Sequence, residues 1–471
     1  MGIGVLLKTF APLTLYMSGL GCALIALGGN TRLALMMVAF LLPLRNVIER
    51  VQLFPGGNQF LDIMLIGVLI GGMFKARPPE DAAVKKSSIN AIAIITVIYM
   101  LFSLFRGDYY LYNGLNFDIK DSRVQDWKNF ALMPLLFFLN FKNNTTKKEV
   151  WTMFAVVCCG IFVSGYYTAH QIGWHSSLES RERIRGTFQF LGPNEVAAFF
   201  NGYTIILMSV LYGLKKGRNK TLLLILVLSN IYCITFLYSR GAYLGLMVGM
   251  FILFSLKDKK MLAPIFLVLL LWQTVLPQNV VDRIKETKTE TGKLDESSQR
   301  RIDIWQQSMT YFKSSPITGI GFGSFRHLGL DLGDTHNIYI KILTEQGAIG
   351  IIILMITLFC FIKEGWQLYQ KGDDELSKSM GLGFFCCIFV FMVNNLFGDR
   401  WSYLEPNAYL WVFAGLVARL NAIAQAAKAE EKLPPTAPLK AAKPGPAPEP
   451  SPKPKKRVRY YDPPQSSYEP S

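Results

Sequence analysis

The sequence predicts an all-α, polytopic integral membrane protein with about 12–14 transmembrane helices and one large loop outside the bilayer. Three observations predict it. Of 471 residues, 51% are apolar and only 17% are charged, a balance that suits lipid better than water. The apolar residues fall into runs close to the ~20 residues that span a ~30 Å hydrocarbon core. The basic residues cluster in the short connections between those runs, which also gives the net charge of +16 a membrane reading and argues against a nucleic-acid partner.

Taken in order, the apolar runs are 9–28, 31–44, 60–74, 89–105, 129–141, 150–169, 194–214, 220–238, 241–256, 261–276, 337–362, 379–397 and 403–423. The first shows no clear cleavage site and reads as a span and not a signal peptide. The runs 31–44 and 129–141 are short for full crossings, which sets the range in the helix count. The basic clusters are Lys75/Arg77/Lys85/Lys86, Lys142/Lys147/Lys148, Lys215/Lys216/Arg218/Lys220 and Lys257/Lys259/Lys260. Two runs separate each cluster from the next, so all four share one side, the cytoplasm. Connections 45–59, 106–128, 170–193, 238–241, 277–336 and 398–402 then face outward. Counting back puts the N-terminus outside if 31–44 crosses. All seven cysteines lie within apolar runs without metal-ligand spacing and read as small core residues.

Two domains are expected: a membrane domain, 1–424, that includes loop 277–336, and a tail, 425–471. From residue 433 on, 12 of the 23 prolines are mixed with Lys and Arg, a composition that cannot bury a core. The tail is expected to be disordered and drawn to anionic headgroups.

The outward connections hold the chemically interesting residues. In Arg181-Glu182-Arg183-Ile184-Arg185, three arginines precede Gly192-Pro193-Asn194-Glu195, where Pro193 fits the first turn of a helix. A helix start beside guanidiniums favours phosphate oxygens; pairing with Glu179 and Glu182 is the plainer alternative. Arg240, in the tight turn Ser239-Arg240-Gly241, lies at the membrane boundary, where a charge costs about 2–3 kcal/mol unless paired or wetted. In the long loop, Ile302, Trp305, Met309 and Phe312 recur at helical spacing and predict an amphipathic helix with Arg300 and Arg301 in its first turns. The glycines of 316–325 predict a tightly turned segment and are weak evidence for phosphate binding. His336 stands at the start of the next apolar run. A neutral imidazole there can take a proton from a hydroxyl at neutral pH, and a helix-capping role is the alternative.

The string Arg301-x-x-x-Trp305, Pro316-x-x-Gly319-x-Gly321-x-Gly323-x-Phe325, Asp334-x-His336-Asn337-x-Tyr339 and Glu345-x-Gly347-x-x-Gly350 resembles the bacterial O-antigen ligase and O-antigen polymerase superfamily. Arg183/Arg185 with Gly192-Pro193-Asn194, and the Ser239-Arg240-Gly241 turn, resemble it too. The resemblance spans roughly residues 180–350. It implies an inverting, metal-independent membrane glycosyltransferase of the GT-C type, in the bacterial inner membrane, with a periplasmic site, a cytoplasmic tail and no cofactor. The donor would be a glycan on undecaprenyl diphosphate, and the acceptor a glycan, lipid A core or protein hydroxyl. Carried over by residue, Arg185 and Arg240 would hold the diphosphate, Arg183 is an alternative to Arg185, Arg301 would bind donor or acceptor, and His336 would be the base. The outer loops carry no Asp-x-Asp motif, as expected where arginine takes a metal's place. A protein O-oligosaccharyltransferase would share this site. A flippase or transporter of lipid-linked polysaccharide would also need arginines, but at the midplane and with paired broken helices. An envelope scaffold is the third class.

Overall fold

The computed structural model describes residues 3–74, 87–115, 118, 120–175, 180–285, 296–328 and 334–431. All regular structure among them is helical. The helices are α1 (Ile3–Leu27), α2 (Thr31–Leu41), α3 (Arg45–Ile48), α4 (Phe60–Phe74), α5 (Ile89–Tyr112) and α6 (Ser122–Asn143). They continue with α7 (Lys147–Trp174), α8 (Pro193–Gly213), α9 (Arg218–Phe236), α10 (Arg240–Lys257), α11 (Leu262–Leu270) and α12 (Trp272–Val275). The last are α13 (Gln278–Lys285), α14 (Glu296–Ser314), α15 (Ile338–Lys371), α16 (Glu375–Asn394) and α17 (Leu404–Glu431). Met1–Ala427 forms one compact unit; Lys428–Ser471 lies almost wholly outside the described residues, as does most of the expected tail.

Among the described residues, nine helices are long and apolar enough to cross a membrane: α1, α5, α7, α8, α9, α10, α15, α16 and α17. A tenth crossing results if α2 and the turn beginning at Arg45, bent by 110°, form one broken span. This is a polytopic all-α membrane protein, with fewer full-length spans than the twelve to fourteen expected. The shortfall falls on the apolar runs that were short or interrupted. α4 has only 15 residues, α6 carries Arg123, Gln125, Asp126 and Lys128 in its first two turns, and the run 261–276 breaks into α11 and α12.

Local chemistry sets the helix starts. Thr146 and Glu149 close a capping box at α7, Asp374 accepts from Ser377 N at α16, and Pro193 opens α8 where its missing N–H costs nothing. Inside the bundle, backbones approach closely through small residues. A side chain at Gly365 or Gly381 would strike the facing helix, α16 or α15, as expected where lipid gives no hydrophobic drive and contact area must hold helices together. α8 and α17 are enclosed by the others, whereas Leu222, Ile225, Leu228, Phe266 and Phe359 stay exposed, as lipid-facing residues do.

The connections sort into two ends. Lys147 pairs with Asp373 and Asp374, and Lys257 pairs with Glu375, so two of the basic connections meet at one end. At the other, Asn46 N donates to Thr187 O, Ile338 N to Asn395 O, and Arg45 pairs with Glu405. These contacts agree with the lysine grouping for two of its four basic clusters; Lys75, Arg77, Lys85 and Lys86 lie outside the described residues.

α15 is broken at Gly347, whose φ of +65° only glycine adopts without strain. The segment 316–325 fills the break. Ile320 N and Gly321 N donate to Thr344 O and Glu345 O, and Ala348 N and Ile349 N donate to Pro316 O and Ile317 O. Non-helical backbone inside a helix apolar enough to cross a membrane survives only when its polar groups are satisfied by protein. Glu345, 1% exposed, completes this by accepting from Gly323 N (3.0 Å) and Phe325 N (3.3 Å). The glycines therefore serve close packing, Gly319 against α15, Gly321 against Gly107 of α5 and Gly323 against Arg123 of α6, and the amides of Gly323 and Phe325 are already occupied.

Candidate active site

The site is built around the first turn of α8. The loop before it is held by Gln171 of α7, whose Oε1 accepts from Arg185 N (3.0 Å) and Gly186 N (2.8 Å). Residues Arg181–Arg183 form one 3₁₀ turn, which sends Arg181 and Arg183 to different sides. Arg181 turns inward and is 4% exposed, while Arg183 and Arg185 face solvent. Arg181 Nη2 donates to Asn194 Oδ1 at 3.0 Å and lies 3.5 Å from Glu182. Burial, reinforced by Arg283 and Arg240, draws the Arg181 guanidinium below its ordinary pKa, against the pull of Glu182 and Tyr243; a guanidinium so shifted still keeps its proton at neutral pH. Arg240 opens α10 and is half-buried. Asn279 Nδ2 reaches Tyr238 Oη at 3.5 Å, which ties α13, the helix carrying Arg283, to the turn before Arg240. Of the three loop arginines, the structure thus brings Arg181 to Arg240; Arg185 instead donates to Gln189 O at 3.0 Å.

His336 approaches from the long loop. The expected helix there is α14, though its most buried positions are Ile304 and Ser308 and not the stripe of Ile302, Trp305, Met309 and Phe312. The face turned inward is set by α15, where Thr344 Oγ1 donates to Ser308 O at 3.3 Å. Trp305 Nε1 donates to Thr335 O at 2.8 Å and so anchors the residue before His336. His336 itself has φ of +49°, and Asn337, whose Oδ1 accepts from Tyr339 N and Ile340 N, caps α15. The capping role proposed as an alternative for His336 thus belongs to its neighbour. His336 keeps an exposed surface, but the surrounding protein lowers its pKa. Burial is the largest cause; Arg301 and Arg400 add to it, and Asp334 and Glu195 oppose it. The imidazole is therefore neutral at neutral pH and within electrostatic reach of Arg301.

Two features of this site were absent from the sequence reading. One is Arg181 as the inward member of its loop. The other is the turn 395–403, where Asp399 pairs with Lys341 at 2.6 Å and Arg400 with Glu195 at 3.1 Å. Burial tends to raise the Asp399 pKa, but Lys341 and the hydrogen bonds from this turn outweigh it and hold the carboxyl below its ordinary range. Their only sequence signal was a charged pair between two apolar runs. Next to the site, Asp126, Arg326, Asp334, Lys341, Glu345 and Tyr403 line a small polar cavity. Among the described residues, no group of three or more His, Cys, Asp or Glu is placed to hold a metal ion.

A comparison with curated proteins found no match. A comparison with family models matched residues 222–355 to the family described as O-antigen ligase. That stretch contains Arg240, Arg301, His336 and the broken part of α15, and stops short of Arg181 and Arg400 on either side. The match agrees with the resemblance carried by the motifs: residues 222–355 of this chain are similar to the O-antigen ligase family.

Proposed function

We propose that the protein is an inverting glycosyltransferase of the inner membrane that transfers or polymerises glycan from an undecaprenyl-diphosphate donor at the periplasmic face. The acceptor hydroxyl attacks the anomeric carbon while His336 takes its proton. The bond from that carbon to the diphosphate oxygen breaks, and its electron pair leaves with the diphosphate. A single displacement inverts the anomeric configuration. Guanidiniums stabilise the charge that develops on the leaving group. Arg240 and the arginine loop supply them; within the loop, the burial of Arg181 beside Arg240 favours it as the main contact, with Arg183 and Arg185 contributing from the solvent side. Arg301, within electrostatic reach of His336, suits the binding of donor or acceptor near the base.

The observation that carries this reading is the placement of His336 within electrostatic reach of Arg301, Arg400 and Glu195 in the first turn of α8, partly within a stretch similar to O-antigen ligases. Ligase and polymerase share the chemistry and differ in the acceptor. In proteoliposomes, His336→Ala is expected to abolish transfer of a lipid-linked glycan while the protein still inserts; undiminished transfer removes His336 from the role of base. Envelope glycans of a deletion strain separate the two activities. Accumulated lipid-linked chains with none on lipid A mean ligase, and single repeat units mean polymerase.

A further inference from the structure

Arg400 lies outside the matched stretch and outside every motif considered above. It is 3% exposed, and its main-chain N–H is held by Asn395 Oδ1 at 2.9 Å. Nη2 meets Glu195, while Nε and Nη1 are buried and meet no acceptor among the described residues. Proteins seldom bury donors of a charged group without acceptors, and such donors mark places that a ligand or water fills. Gly398 makes this position possible, because a Cβ there would fall on Nη1 itself.

The location narrows the ligand. Asn194 and Glu195, consecutive in the first turn of α8, hold Arg181 and Arg400 respectively. A helix N-terminus thus stands between two buried guanidiniums, and Arg181 Nε also meets no acceptor among the described residues. Arg181 lies within electrostatic reach of Arg240, Arg283 and Glu182, and His336 within reach of Arg301, Arg400, Glu195 and Asp334. The chemistry that fits is an anion with several acceptor oxygens.

We propose that Arg400 is a substrate-contacting residue: with Glu195 holding Nη2, its Nε–H and Nη1–H donate to oxygens of the donor diphosphate, beside Arg181 at the start of α8. This rests on the glycosyltransferase reading above. In the transfer step these donors receive the negative charge left on the diphosphate oxygen, while the acceptor's proton goes to His336.

The test is lipid binding by the full chain in nanodiscs, with undecaprenyl diphosphate as probe and uncharged undecaprenol as control. Arg400→Gln is expected to weaken diphosphate binding by about tenfold or more, the effect of losing charge-assisted hydrogen bonds, with undecaprenol binding unchanged. Gly398→Ala, which keeps the charge but displaces the guanidinium, is expected to weaken it in the same direction and serves as the readout if Arg400→Gln does not fold. Wild-type affinity for the diphosphate in a folded Arg400→Gln protein or in Gly398→Ala overturns the proposal and leaves Arg400 as a structural partner of Glu195. Failure of the underlying reading looks different: the wild-type protein itself would not prefer undecaprenyl diphosphate to undecaprenol.

Discussion

Replacing Glu345 by Ala tests whether the glycine-rich segment is architecture or a phosphate cradle. Glu345 is buried, and its two oxygens accept from Gly323 N and Phe325 N at 3.0 and 3.3 Å. Alanine removes both bonds and leaves two buried amides unpaired. Each buried bond contributes about 1 kcal/mol, up to ~3 where the acceptor is charged, and an orphaned donor costs in the same range. The expected loss is therefore roughly 2–5 kcal/mol, before any relaxation of the segment. Glu345→Gln keeps one accepting oxygen but turns an NH₂ group toward the other amide, so it should lose about half as much. Thermal unfolding in detergent, followed by tryptophan fluorescence, reads both changes against wild type. If Glu345→Ala unfolds within about 0.5 kcal/mol of wild type, the range of an ordinary surface change, the segment is not held as described. If Glu345→Ala instead leaves stability intact and tightens binding of the lipid diphosphate, the amides were a phosphate cradle after all.

Two further predictions concern the chemistry. The transfer rate is expected to rise with pH through the His336 pKa, which lies below the ordinary histidine value, and to level off above it. Removing a nearby cation favours imidazolium, so Arg301→Gln should move this acidic limb to higher pH, whereas Asp334→Asn should move it lower; unmoved or reversed limbs in pH–rate profiles would contradict the placement. Of the loop arginines, Arg181→Ala should raise the donor KM by about tenfold or more, and Arg185→Ala by less than about threefold, because exposed contacts are screened by water; the reverse order would make Arg185 the main clamp.

The sequence by itself determined the class of the protein, because lipid imposes one rule on every span: a long apolar run with its backbone satisfied internally. Nine of the thirteen runs became long apolar helices, and those that did not were short, broken or polar at one end. Pro193 at the head of α8 and a helix around Trp305 were legible from local chemistry alone. The family resemblance was legible where motifs are dense, in the stretch 222–355.

Only the tertiary structure decided which polar groups meet. Arg181, Arg183 and Arg185 look equivalent in sequence, and one 3₁₀ turn together with Gln171 sends just the first inward. The glycines of 316–325 invite a phosphate, yet Glu345 takes the amides of Gly321 and Gly323, and close packing against α15, α5 and α6 takes the space beside Gly319, Gly321 and Gly323. Arg400, more than 200 residues from Glu195 in the chain, joins it because α8 and α16 pack side by side and the turn 395–403 is fastened to the start of α15. Pairings across such separations leave no periodic trace in sequence, since each partner alone is only a charge between two apolar runs.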